Sequence, residues 1–142
     1  MRPGIDIKRT FPTAPQAIFD AWTHGDQLAQ WFGLPDAQVT ATCDARVGGA
    51  WQLTMHSPTG QFGFTGTYSA VTAPSHLSYT LQADGQPGVE HCTVDLASHG
   101  DGTELRFTQG GDNLTVEQYE QATAGYVVFF ERLDALTRVT AN

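Results

Sequence analysis

Basic side chains are scarce: seven Lys and Arg stand against fifteen Asp and Glu, a formal net charge of -8 over 142 residues. Binding along a nucleic-acid backbone needs clustered cations to release counterions; no such cluster occurs, and no nucleic-acid partner is expected. The same arithmetic disfavours an anionic membrane surface. Long apolar runs are also missing. None approaches the ~18–20 residues of a spanning helix, so no membrane partner is expected. The opening residues, Met1 to Asp6, lack the apolar stretch of a secretory signal, and a cytoplasmic location is the expectation. Cysteine is limited to Cys43 and Cys92, without a CxxC pair or a matching histidine spacing. Two buried, inert thiols in strands is the plain reading, with a disulfide or a metal site as the alternatives. The five histidines are dispersed, with no HxH or HxxxH set, so no metal or other cofactor is expected. A nucleophile elbow and a phosphate loop are absent as well, and no catalytic residue is assigned.

What remains is a chain of one-domain length, residues 1–142, with enough apolar content to build a core. Ile5, Ile7 and Phe11 mark a first strand over residues 4–11. Thr13 and Gln16 fit a capping box, with Pro15 in the first turn of a short helix that carries Ile18, Phe19 and Trp22 on one face. A second short helix, with Leu28, Trp31 and Phe32, follows His24-Gly25-Asp26 and ends at Gly33-Leu34-Pro35. The period then changes to two. Six strands run from Val39 to about residue 110, each alternating apolar and polar residues between Gly-, Pro- and Asp-rich turns. Thr115 and Gln118 form a second capping box ahead of a long helix whose stripe is Tyr119, Ala122, Tyr126, Phe129, Phe130, Leu133 and Leu136. A sheet with one apolar face needs a cover, and only this helix is large enough. The fold class is therefore α+β: about seven antiparallel strands curled around a long C-terminal helix, with two short helices after the first strand.

Several short runs, in order, resemble one family. They are Arg9-Thr10-Phe11 with Ala14-Pro15, then Phe19-Asp20-Ala21-Trp22-Thr23, Leu28 with Trp31-Phe32, and Asp44, Arg46, Gly48-Gly49 and Trp51. Gly66 and Tyr68, Leu77 and Thr80, Gly102-Thr103 with Leu105, and Gly125-Tyr126 follow. Together they resemble the AHSA-like family, named for activators of the heat-shock protein 90 ATPase, within the START-like (SRPBCC, helix-grip) superfamily. Two positions depart from its pattern: Tyr126 stands where tryptophan is usual, and Trp31-Phe32 replaces a tryptophan pair. The resemblance implies a helix-grip fold with an internal cavity for apolar or aromatic small molecules. It does not imply a shared reaction.

The candidate ligand-binding residues are Trp31, Trp51, Leu53, Met55, Phe62, Phe64, Tyr68, Tyr79, Leu81, Glu90, Gly125, Tyr126 and Phe129. Each has a structural alternative. The aromatics can simply fill a core. Gly125, inside a strong helix at a cost of ~1 kcal/mol, fits either close helix–strand packing or room left for a ligand. Glu90 shares the face of Cys92 and Val94, so it points inward or reaches water at a strand end; inward, it could act as an acid or base. Three functions follow: binding of an apolar or aromatic small molecule; a protein-interaction module that stimulates a chaperone ATPase, with a role in stress response, as the family name suggests; or a cyclase- or hydrolase-type enzyme acting inside the pocket. The oligomeric expectation is a monomer or a homodimer.

Overall fold

The computed structural model describes residues 4–33 and 38–140. The first strand, β1 (Ile5–Phe11), is followed by the short helices α1 (Pro15–Thr23) and α2 (Gly25–Trp31). Six strands come next: β2 (Gln38–Cys43), β3 (Ala50–Ser57), β4 (Gly60–Thr72), β5 (His76–Ala83), β6 (Glu90–His99) and β7 (Gly102–Gly110). The long helix α3 (Val116–Thr140) completes the order. Leu34 and Pro35, expected to end α2, lie outside the described residues.

All seven strands form one antiparallel sheet in the order β1-β7-β6-β5-β4-β3-β2. Strands β2 to β7 make a meander, because each adjacent pair is joined by a short turn. The N-terminal strand then pairs with β7, running from Ile5 opposite Gln109 to Phe11 opposite Thr103. Burial follows the period of two: Glu90, Cys92, Val94 and Leu96 of β6 are buried, and the residues between them face outward or lie half-buried. The outer face is laced with polar pairs, including the two-bond Arg106–Asp6 pair at 3.1 and 2.9 Å. Such exposed pairs set register more than they stabilise.

Helix α3 crosses the inner face and is fixed at several points. Thr115 and Gln118 cap its start reciprocally, at 2.9 and 3.1 Å, as the sequence pattern implies. Arg132 reaches the C-terminal end of α2, donating to the carbonyls of Gln30 at 2.8 Å and Gly33 at 2.6 Å. A cation there satisfies carbonyls that a helix end leaves open. The expected box at Thr13 and Gln16 does not form. Ala14 is the N-cap of α1, and Thr13 donates instead to the Thr137 hydroxyl of α3 at 3.1 Å while its carbonyl accepts from Thr103. A buried tertiary partner has outcompeted the local cap.

Aromatic rings pack against one another where α1 and α2 meet α3. Trp22, Trp31, Phe107 and Phe130 stack there, with ring centroids 4.7 to 6.2 Å apart. The Trp31 indole also donates to the Ala21 carbonyl at 2.9 Å, which locks the two short helices together.

Candidate functional site

At the other end of α3 the sheet and helix do not close. A cavity of about 270 Å³ lies between them. From α3 it is walled by Ala122, Gly125, Tyr126 and Phe129, residues whose spacing puts them on one helical face. The sheet contributes Phe64, Leu81, Ala83, Glu90 and Gln109. Phe32, just past α2, closes one side, its ring 5.2 Å from Phe129 and 5.7 Å from Phe64. Gly125 explains much of the space: a Cβ built on it would meet no atom within 4 Å. The missing side chain serves the room in the cavity, not close contact with a strand.

One end of this apolar cavity is polar. Glu90, only 5% exposed, accepts from Gln109 Nε2 at 3.2 Å, Asn113 Nδ2 at 2.6 Å and the Tyr119 hydroxyl at 3.0 Å. Gln109 Oε1 in turn accepts from the Tyr126 hydroxyl at 2.7 Å and from the Cys92 thiol. Burial pushes the Tyr126 phenol well above its ordinary value, and the Cys92 thiol is raised by burial and then by the nearby Glu90 charge. Tyr119 is raised by burial and then by its bond to Glu90. Tyr119, the one titratable partner of Glu90, thus holds its proton, and no described buried side-chain polar atom lacks a partner.

A family model described as Activator of Hsp90 ATPase homolog 1-like protein matches residues 12–138. The chain belongs to that family. No curated protein matches it. Among solved structures, a Chromobacterium violaceum protein is 26% identical, with 96% of this chain and 98% of its own covered at a TM-score of 0.86. An AHSA1-like protein from Aeromonas hydrophila is also 26% identical, covering 96% and 93% at a TM-score of 0.80. A Staphylococcus epidermidis protein at 22% identity, covering 100% and 93%, shares the fold at a TM-score of 0.85. The fold is the helix-grip fold of these AHSA1-like proteins.

Within this AHSA1-like chain the candidate residues fall into separate places. Phe64, Leu81, Glu90, Gly125, Tyr126 and Phe129 are brought together around the cavity. Trp51, Tyr68 and Tyr79 instead surround a gap of about 10 Å³ with Trp22, Leu28 and Phe32, which is nearly filled. The Trp51 indole spans Gly66 to reach the Thr80 carbonyl at 2.9 Å; a Cβ at Gly66 would sit 2.4 Å from that indole nitrogen. Trp31 and Leu53 are fully buried in the core, away from the cavity. Met55 packs by Gly33, its sulfur 3.3 Å from where a Cβ on Gly33 would stand. Phe62 is 43% exposed and touches Phe64 edge-on, because β4 carries it past the reach of α3.

Four cavity residues outside that set matter most: Phe32, Ala122, Gln109 and Asn113. Gln109 had a legible signal, since it follows Leu105 and Phe107 at a spacing of two and so faces inward. Asn113 had none, being in the loop before α3. The structure also joins histidine to a hydroxyl and a carboxylate, which sequence spacing did not suggest. His76 lies 2.6 Å from Asp95 and 2.9 Å from the Ser78 hydroxyl. The order resembles a hydrolase relay. However, none of the three lines the cavity, and Ser78 is paired in the ladder with both Ala70 and Thr93. No group of three or more His, Cys, Asp or Glu among the described residues could hold a metal ion. No described helix is long and apolar enough to cross a membrane.

Proposed function

We propose that this protein, as one domain, binds an apolar or aromatic small molecule in the cavity between the sheet and α3. The carrying observation is the open volume at Gly125, walled by aromatic and aliphatic groups and ended by a few fixed polar ones. Such a lining is the usual form of a small-molecule site. The volume suits a compact ligand: an apolar cavity of ~150 Å³ takes benzene, so this one suits a body of roughly two fused rings. Glu90 supports binding more than catalysis, because three donors already fix it. The chaperone reading rests on the family description alone.

The test uses 2-methylnaphthalene as probe, followed by the chain's melting temperature and by chemical-shift changes. The probe should raise the melting temperature and perturb signals of Gly125, Phe129 and Leu81. Gly125→Leu should fold and lose both responses, since its side chain occupies the space. A wild-type protein indifferent to the probe, or an unchanged response in Gly125→Leu, would refute the cavity as the site.

A further inference from the structure

The polar end of the cavity is one-sided in charge. Among the described residues, no Lys, Arg or His lines the cavity, and Glu90 is its one carboxylate. A carboxylate has about four acceptor positions. Oε2 uses two, for Asn113 and Tyr119, whereas Oε1 uses one, for Gln109. A position on Oε1 is therefore open to a further donor. Gln109 Nε2 gives one of its two hydrogens to Glu90, and the other fixed donors beside it are spent. Asn113 spends both amide hydrogens, on Glu90 and on the Val89 carbonyl at 2.8 Å. The Tyr126 hydroxyl donates to Gln109 and the Tyr119 hydroxyl to Glu90. All three of Glu90's partners are neutral, so no protein cation offsets this buried acid at hydrogen-bond range.

The rims of the site are held for this purpose by small residues. A Cβ at Gly111 would stand 2.5 Å from Glu90 Oε2, and one at Gly88 would overlap the Asn113 amide. The backbone can therefore close on the carboxylate and its amide partner, and it fixes them before any ligand enters. A preset acceptor of this kind discriminates strongly, because a wrong head leaves buried groups unpaired or meets like charge.

Resting on the cavity-binding reading above, we propose that the ligand is a cationic amphiphile: an organic ammonium on an apolar or aromatic body, its N–H donated to Glu90 Oε1. The body lies against Phe64, Leu81 and Phe129, and the head lies at Glu90 and Gln109. Burying an ammonium is costly without a partner, and the carboxylate is that partner. The overall charge of -8 also steers cations toward the protein and anions away.

Three probes with one ring system decide the matter: 2-naphthylmethylammonium, 2-methylnaphthalene and 2-naphthoate, each titrated calorimetrically at neutral pH. The ammonium should bind roughly tenfold or more tighter than the hydrocarbon, the difference expected between a charge-assisted bond and none, and the carboxylate should bind weakest. Glu90→Gln, which keeps the shape and removes the charge, should erase the ammonium's advantage, read as the ratio of ammonium to hydrocarbon affinity within the same variant. Hydrocarbon binding without an ammonium advantage in the wild-type protein would overturn the cationic head and leave the cavity standing. An ammonium advantage that persists in a folded Glu90→Gln variant would overturn the assignment to Glu90. Failure of all three probes would overturn both readings. The order of the wild-type affinities tests the cationic head even if the variant does not fold, and chemical-shift changes at Glu90 and Gln109 on adding the ammonium then test where the head lies.

Discussion

The two ends of α3 face the same sheet with similar aromatic content, yet one end is solid and the other is open. Near α1 and α2, Trp22, Trp31, Phe107 and Phe130 interlock, and the gap beside them holds only about 10 Å³. Near the start of α3, Phe64, Tyr126 and Phe129 surround about 270 Å³. Aromatic number does not separate the ends. Helix cover does: the pair α1–α2 plugs one end, while the other lies under α3, which presents Ala122 and Gly125, with Phe32 closing one side. An aromatic ring becomes a wall instead of filling when its opposite neighbour is small.

The largest test of that contrast is truncation at each end. Trp31→Ala should destabilise by about 3–5 kcal/mol, because it opens a void in packed surroundings that cannot collapse. Phe129→Ala should cost roughly 1–2 kcal/mol, since that ring is half-buried and already borders empty space. Urea unfolding of both variants gives the two numbers. Equal losses would mean that the two ends are packed alike.

A second test uses the tyrosines, which sample both ends. Tyr68 and Tyr79 lie toward the packed end, Tyr126 lines the cavity and Tyr119 is bonded to Glu90 of its wall, and these are all four tyrosines of the chain. Every one is raised above its ordinary value of 10.0, with burial the largest cause. A folded value above the unfolded one means that the stabilisation is complete below pH 10.0 and is lost as pH climbs toward the folded value. Between those two values the unfolded chain has released protons that the native chain keeps, at about 1.4 kcal/mol per pH unit per tyrosine. Tyrosinate absorbance should therefore rise together with loss of far-ultraviolet circular dichroism. Tyrosinate appearing well before unfolding would show that the cavity end admits water to Tyr119 or Tyr126.

The split between filler and wall explains what was legible beforehand. Alternation along β3 to β7 fixes which face each side chain takes, so the sheet and its covering helix are legible, whereas Glu90, at a strand end, is left open between an inward position and one that reaches water. The Thr115–Gln118 box was legible because both partners are local. Thr13 was misread because its partners, Thr103 and Thr137, are distant in sequence. Face also says nothing of position along the sheet. Leu53, Phe62 and Leu81 share the inner side, yet one is core, one is exposed and one lines the cavity. The His76–Ser78–Asp95 contacts required strand register, with His76 opposite Asp95.

The smallest effect is the most direct comparison of the ends, because it adds atoms instead of removing them. Gly125→Ala places one methyl group where nothing lies within 4 Å, so it meets no clash. It also removes the backbone freedom that glycine brings to the unfolded chain and improves helix propensity in mid-helix. The gain should be about 1 kcal/mol, close to the intrinsic glycine–alanine difference, with the cavity only slightly reduced. Gly66→Ala is the counterpart at the filled end. A Cβ there would lie 1.8 Å from the Thr80 carbonyl oxygen and 2.4 Å from the Trp51 indole nitrogen, so the same chemical change must push strand and ring apart. Thermal melts of the two variants should move in opposite directions. If Gly125→Ala instead lowered the melting temperature, the methyl group would be meeting a packed neighbour, and the space assigned to a ligand would be filled in solution by the protein itself.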